Sequence, residues 1–184
     1  MDDGALLDLL LELQALDRVP RSGYALRGVD RPESVSEHSF HLAFLVWALA
    51  AREPEVDGGR AVALALVHDL VEVRTGDLPR TAARYWPAGA KARAERAIAA
   101  ELLAPLGDGA QQLFAEYQAG ETAEARFVKR CDELQVRLKV MAYERWGSGS
   151  LDDLRAALAD LDDGGFASIG ALLAALDCYD RRPS

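Results

Sequence analysis

The segment LALVHDLVEVRTGDLP, residues 64–79, sets one imidazole and three carboxylates, His68, Asp69, Glu72 and Asp77, into an otherwise apolar run. On a continuous helix His68 and Asp69 lie about 100° apart, and Glu72, four residues after His68, returns to nearly the same face. One turn then offers two ligands for a cation and a further acidic group. The plain alternative is a hydrogen-bonded core histidine with Asp69 and Glu72 facing solvent. Ala63, Leu64, Ala65, Leu66, Val67, Leu70 and Val71 leave little room for a solvated stripe. A buried Asp69 requires a partner, and a divalent cation is one.

The chain has three histidines, and the other two, His38 and His41, stand at i and i+3 in EHSFH. Asp132 sits in another apolar stretch, FVKRCDELQVRLKV, with Leu134 and Val136 nearby. Three helices can therefore bring imidazole, imidazole–carboxylate and carboxylate donors to one cation. Mixed N and O donors suit Mn, Co, Fe or Zn, with Mg less favoured, and do not make a thiolate site. Cys131 reads as a small core residue. His41 is a ligand, a substrate contact or a packed side chain, and its spacing does not choose among these.

Helices must position these groups. Apolar residues recur three and four apart through an Ala- and Leu-rich chain with little β-branched alternation, and no segment reads as a strand. The pattern predicts helices over Ala5–Leu16, Ser34–Arg52, Arg60–Val73, Ala90–Leu103, Ala110–Gln118, Thr122–Tyr143, Leu151–Leu161 and Phe166–Leu176. Ser34 followed by Glu37 has capping-box spacing and marks the start of the second. The connection before it, VPRSGYALRGVDRP, holds two prolines and two glycines and is the longest polar loop. EPEVDGG and TGDLP stop the second and third helices, and WGSGS at 146–150 reads as a hinge or turn. Trp47, Trp86 and Trp146 read as core or interface residues. The expected architecture is all-α, a single domain over residues 1–184 with a motif-bearing core at about 6–141 and C-terminal helices at 151–176 packed on it.

Composition narrows the function. Half of the 184 residues are hydrophobic and 28% are charged, a globular balance in a chain long enough to bury a core. The net charge of −9 argues against a sequence-tolerant grip on nucleic acid or an anionic membrane. No apolar run approaches the roughly 20 residues of a spanning helix. The two cysteines, Cys131 and Cys178, make neither a CxxC pair nor a disulfide framework, and MDDGALLDLL lacks the basic start of a signal peptide. A reducing cytoplasm is the expected compartment.

EHSFH at 37–41, HDLVEVRTGDLP at 68–79 and KRCDELQ at 129–135 together resemble the HD-domain phosphohydrolase superfamily. Within it, PRSGYALRGVDRPESVSEHS and TGDLP are similar to the small 5′-deoxynucleotidase branch, over roughly Leu6 to Met141. The resemblance implies an HD-type helical bundle, with His38, His68, Asp69 and Asp132 holding the metal and Glu72 and Asp77 as catalytic carboxylates. It puts Arg21 at the phosphate and implies a homodimer. The branch commonly has tryptophan where this chain has Tyr24, and His41 is outside the family's ligand set.

Four protein ligands would leave room for a water and a phosphoryl oxygen on the cation. Glu72 is placed to orient that water or take its proton. Asp77 holds a sugar hydroxyl or protonates the leaving oxygen, or else forms an Asx-turn or caps the next helix. Thr75 contacts phosphate or forms the turn. Among Arg18, Arg21, Arg27 and Arg31, Arg21 is the phosphate candidate and the others read as solvated. Tyr24 stacks on a sugar or base, or packs on the bundle. The leading reading is a metal-dependent phosphomonoesterase acting on 5′-deoxynucleotides, a small-molecule substrate. A triphosphohydrolase or phosphodiesterase on the same centre, and a non-catalytic nucleotide sensor, are the alternatives.

Overall fold

Four of the helices begin at a side chain that satisfies an otherwise unpaired N–H group, a contact worth about 1 kcal/mol. In the computed structural model, which describes residues 2–180, Asp2 caps α1 (Asp3–Leu13). Ser34 and Glu37 form the full capping box of α3 (Val35–Ala50), preceded by the single turn α2 (Ser22–Ala25). Asp57 caps α4 (Gly58–Val67), which is followed by the short α5 (Glu72–Thr75) and α6 (Arg80–Ala83). Then come α7 (Ala90–Leu102), α8 (Asp108–Ala119) and α9 (Ala123–Arg145), the last capped by Thr122. The short α10 (Asp152–Ala157) and α11 (Ala167–Asp180) complete the order. Residues 1 and 181–184 of the expected domain lie outside the described residues.

The fold is all-α, and the β-type pairing among the described residues is an isolated antiparallel bridge between Pro20 and Ser34. The main core joins Leu42, Val46 and Leu49 of α3 and Leu64 and Ala65 of α4 to Phe127, Val128, Cys131 and Leu134 of α9. Ile169 and Leu173 of α11 close it from the C-terminal side, and Phe127 meets Phe166 edge to face with centroids 5.0 Å apart. Burying each such side chain contributes roughly 1.5–3 kcal/mol. A second cluster, Tyr24, Val29, Val140, Tyr143, Leu151 and Leu158, ties the loop after α1 to the far end of α9 and to α10.

Three expectations change, and the choice between hinge and turn at 146–150 is decided. The helix expected over Arg60–Val73 stops at Val67 and resumes at Glu72, with His68–Val71 in a tight turn. Its backbone bonds run from i to i−3, Leu70 to Val67, Glu72 to Asp69 and Val73 to Leu70. The Ala65 carbonyl, which a continuing helix would offer to the Asp69 N–H, takes the His68 Nδ1–H at 2.7 Å. The helix expected over Leu151–Leu161 ends at Ala157, where Leu158 leaves the helical backbone, and Asp162 and Asp163 bond the N–H groups of Gly164 and Gly165 in the turn that follows. The WGSGS segment is a packed turn, with no free hinge. Ser150 N–H donates to the Arg27 carbonyl at 2.9 Å, and a Cβ on Gly149 would come within 2.6 Å of Val29. Trp47, Trp86 and Trp146 are not core residues, being 63%, 47% and 69% exposed.

Candidate metal centre

His38 lies one turn into α3, where its N–H bonds the Ser34 carbonyl at 3.0 Å, so the capping box sets the direction of the imidazole. Its ring is fully buried, 5.4 Å from the equally enclosed ring of His68. Asp132 approaches from α9, with Oδ1 3.1 Å from His38 Nε2. Asp69 Oδ2 is 2.9 Å from His68 Nε2 and 3.9 Å from His38 Nε2.

These contacts are short, yet His38 Nε2, His68 Nε2 and Asp132 Oδ1 are buried and make no aligned hydrogen bond. Such orphaned atoms are costly unless a third body joins them. Donors about 2.1 Å from one cation stand roughly 3.0 Å apart at right angles and about 3.4 Å apart in a tetrahedron. The observed 2.9, 3.1 and 3.9 Å bracket those edges. Each histidine also has its Nδ1 engaged elsewhere, His68 on the Ala65 carbonyl and His38 on Gln135 Oε1 at 2.8 Å. That leaves Nε2 on both as the atom free to take a metal ion. The donor set fits a divalent cation.

Burial pushes the His38 imidazole down, and the adjoining carboxylates of Asp132 and Glu33 more than reverse this, to about 9. The metal-free centre therefore holds a proton that a cation must displace. Apparent affinity for Zn2+ should rise with pH up to about 9, as measured by chelator competition across a pH series. A pH-independent affinity would contradict the assignment of His38 as a ligand.

Beside this cluster, Arg21 is carried in by the loop after α1. Arg21 N–H donates to the Glu33 carbonyl and Val35 N–H to the Val19 carbonyl, both at 2.9 Å, so the loop is zipped at its base. One guanidinium nitrogen lies 3.1 Å from Asp69 Oδ2 and 3.4 Å from Asp77 Oδ1. Asp77 neither closes an Asx-turn nor caps α6, whose N-cap is Pro79. Its Oδ2 accepts from the Ser22 N–H at 2.6 Å and the Ser22 hydroxyl at 2.5 Å, across to the start of α2. Gly76, at φ 68°, makes the backbone reversal that sends Asp77 there, a conformation that glycine adopts without strain.

Glu72 is buried with Oε2 unpaired. In a turn of i to i−3 bonds, residues three apart eclipse, so Glu72 lies in line with Asp69, where a regular helix would align it with His68. Burial, then the charges of Asp69 and Asp77, raise its carboxyl well above the usual range, while Arg21 opposes them. A carboxyl poised upward in this way suits proton transfer near neutral pH.

Other candidates take plainer places. The Tyr24 ring is buried edge-on to Tyr143 with centroids 5.1 Å apart, and only its unpaired hydroxyl is left for a ligand. Thr75 is exposed and its hydroxyl donates to the Gly76 carbonyl at 2.9 Å, a turn contact. Cys131 is sealed in the core and burial raises its thiol. His41 is on the surface, 3.5 Å from Lys139 Nζ, and is not among the clustered donors His38, His68 and Asp69. Arg27 pairs with Asp153 at 2.5 Å, while Arg18 and Arg31 are exposed. Sequence reasoning passed over Ser22, Glu33, Gln135 and Lys91. Lys91 is ion-paired with Glu95 at 3.2 Å and feels the charges of Glu72 and Asp69. Ser22, Glu33 and Gln135 carry no local signal, since each bonds a residue distant in sequence, and the i,i+4 spacing of Lys91 and Glu95 marks only a helix-surface pair.

Residues 13–156 match the family model described as an HD domain. The chain belongs to the HD-domain family. This HD-domain chain is 37% identical over 143 residues to the 5′-deoxynucleotidase HDDC2 of Bos taurus, covering 76% of the chain and 68% of that relative. Among solved structures, a conserved hypothetical protein from Pyrococcus furiosus superposes with a TM-score of 0.79 at 31% identity, covering 94% of this chain and 99% of the other. A structure described as a predicted metal-dependent phosphohydrolase from Magnetospirillum magnetotacticum MS-1 gives 0.74 at 29% identity, covering 96% and 93%. The two structural likenesses cover nearly the whole chain.

Proposed function

We propose that this HD-domain protein is a metal-dependent phosphomonoesterase that hydrolyses 5′-deoxyribonucleoside monophosphates to deoxynucleoside and phosphate. The observation that carries the chemistry is the convergence of unpaired His38 Nε2, His68 Nε2 and Asp132 Oδ1 beside Asp69, with Arg21 at its edge. The relatives named 5′-deoxynucleotidase support the substrate class.

In this reading His38, His68, Asp69 and Asp132 hold one divalent transition metal, Mn, Co, Fe or Zn in preference to Mg. Such a cation supplies a Lewis acid for a phosphoryl oxygen and lowers the pKa of water near it. The charge of a bound cation would favour the ionised form of Glu72, which holds its proton in the metal-free protein, and the carboxylate would then take the proton of the attacking water. Arg21 swings part of its guanidinium from Asp69 to the phosphate oxygens, a charge-assisted contact worth about 1.5–3 kcal/mol. Asp77, anchored by Ser22, keeps Arg21 in place and offers Oδ1 toward the sugar side. The Tyr24 hydroxyl borders the same space, and Thr75 shapes the turn that leads to Asp77. The working unit is a cytoplasmic homodimer. The exposed aromatic stripe Phe40, Phe44 and Trp47 on α3 supports the dimer.

The cations near the centre, Arg21 and Lys91, match one phosphate better than three. The direct test is phosphate release from deoxy- and ribonucleoside mono-, di- and triphosphates, with Mn, Co, Zn or Mg restored after chelation. Deoxyribonucleoside monophosphates should be the best substrates, with inorganic phosphate as product. Tripolyphosphate released from dNTPs, with monophosphates inert, would replace this reading by a triphosphohydrolase.

A further inference from the structure

The side of His38 that faces away from the centre is tied into a chain of hydrogen bonds whose direction is forced. We propose that Gln135 and Glu33 are positioning residues, which act through that chain to keep the His38 Nδ1 protonated and its Nε2 lone pair aimed at the metal. The proposal rests on the metal reading above and deepens it.

The chain starts at Glu33, in the loop just before α3. It is only 3% exposed, and its Oε2 lies 2.9 Å from Lys139 Nζ, a cation that keeps the carboxylate ionised. An ionised carboxylate only accepts hydrogen bonds. The Gln135 amide, 3% exposed on α9, must therefore turn its NH2 group to Glu33, and Nε2 meets Oε2 at 3.3 Å. Its carbonyl oxygen is then left facing His38, 2.8 Å from Nδ1. A carbonyl also only accepts, so Nδ1 must be the donor and Nε2 the free lone pair. Were the amide reversed, its oxygen would repel the Glu33 carboxylate, two acceptors facing each other, and its NH2 would donate to Nδ1 and favour the tautomer with the proton on Nε2. Tyr143, whose hydroxyl accepts the Glu33 backbone N–H at 2.7 Å, fixes the position of Glu33 itself.

His68 needs no such device, because the backbone carbonyl of Ala65 sets its tautomer directly. His38 has no backbone acceptor at Nδ1, and two side chains take that place. His41, 3.8 Å from Glu33 Oε2, sits at the outer end of the chain on the surface.

The test uses the full-length protein loaded with Zn2+. Glu33→Gln is nearly isosteric and lets the Gln135 amide turn over, and Gln135→Ala removes the link. Each should weaken Zn2+ binding about 10- to 100-fold in a chelator competition, the usual loss for a partner of a ligating histidine. With three histidines in the chain, the ring nitrogens can be resolved by NMR. The Zn2+-loaded wild type should show His38 with a protonated Nδ1, and Glu33→Gln should lose that single state while His68 keeps its own. In the Gln135→Ala background, Glu33→Gln should cost clearly less than in the wild type, because part of its effect passes through Gln135 and only the remainder comes from its own charge, 3.7 Å from His38 Nδ1. An undiminished effect of Glu33→Gln in that background would mean that its charge acts only directly, and would overturn the chain. So would wild-type affinity together with an unchanged His38 state in Glu33→Gln, a variant that preserves side-chain volume if Gln135→Ala fails to fold. A wild type that takes up no Zn2+ would overturn the metal reading itself.

Discussion

His68→Ala should yield a folded protein that has lost both its metal and its activity, with turnover down on the order of 10³-fold or more. That figure corresponds to losing the several kcal/mol that a metal ion contributes to phosphoryl transfer. The His68 ring reaches Asp69 through Nε2 at 2.9 Å and is packed edge-on against Tyr117 with centroids 5.4 Å apart. Removing it deletes a ligand and the wall that holds Asp69. The fold should persist, since the main core of α3, α4 and α9 does not include His68 and the freed Ala65 carbonyl can return to a helical bond. Metal content by elemental analysis and phosphate release should fall together, and added Mn or Co should restore only the wild type. If donors from three elements meet at one cation as proposed, saturating metal should raise the wild-type thermal midpoint. Binding at 100 times Kd contributes about 2.7 kcal/mol. Full occupancy in His68→Ala would remove the proposed centre.

Glu72→Gln should do the reverse, keeping the metal and losing the chemistry. A general base contributes about 10²–10⁴-fold, and the amide cannot take the water's proton. The substitution preserves shape in a site only 4% exposed, so kcat should fall with little change in metal content. Stability offers a second readout on the metal-free protein. The folded Glu72 carboxyl is raised above the ordinary 4.5, so above that pH the native state holds a proton that the unfolded state has released. Stability must then decline as pH rises through the window above 4.5. Glu72→Gln removes that decline, and its thermal midpoint should exceed that of the wild type at mildly alkaline pH. Loss of metal in this variant would reassign Glu72 as a ligand, and near-normal kcat would assign proton transfer to another group.

What could be read from sequence alone was local. The capping box at Ser34 and Glu37, the apolar periodicity of α3, α4 and α9, and the polar insertions His38, His68, Asp69 and Asp132 on apolar faces depend on neighbours three or four residues away. Such contacts persist wherever the chain goes, so they appear as spacing. The break after Val67 escaped that reading, because the pattern of LVHDLVEV fits a continuous helix and only the imidazole bond to the Ala65 carbonyl interrupts it. The break aligns Glu72 with Asp69. The remaining features of the centre join distant positions, Arg21 to Asp69 across 48 residues, Ser22 to Asp77 across 55, His38 to Gln135 across 97 and Gln135 to Glu33 across 102. Nothing in a single segment encodes such pairs. They arise when α3, α4 and α9 pack and the loop after α1 closes over their ends, because a buried charge must find its partner from whatever the packed helices bring within about 3 Å.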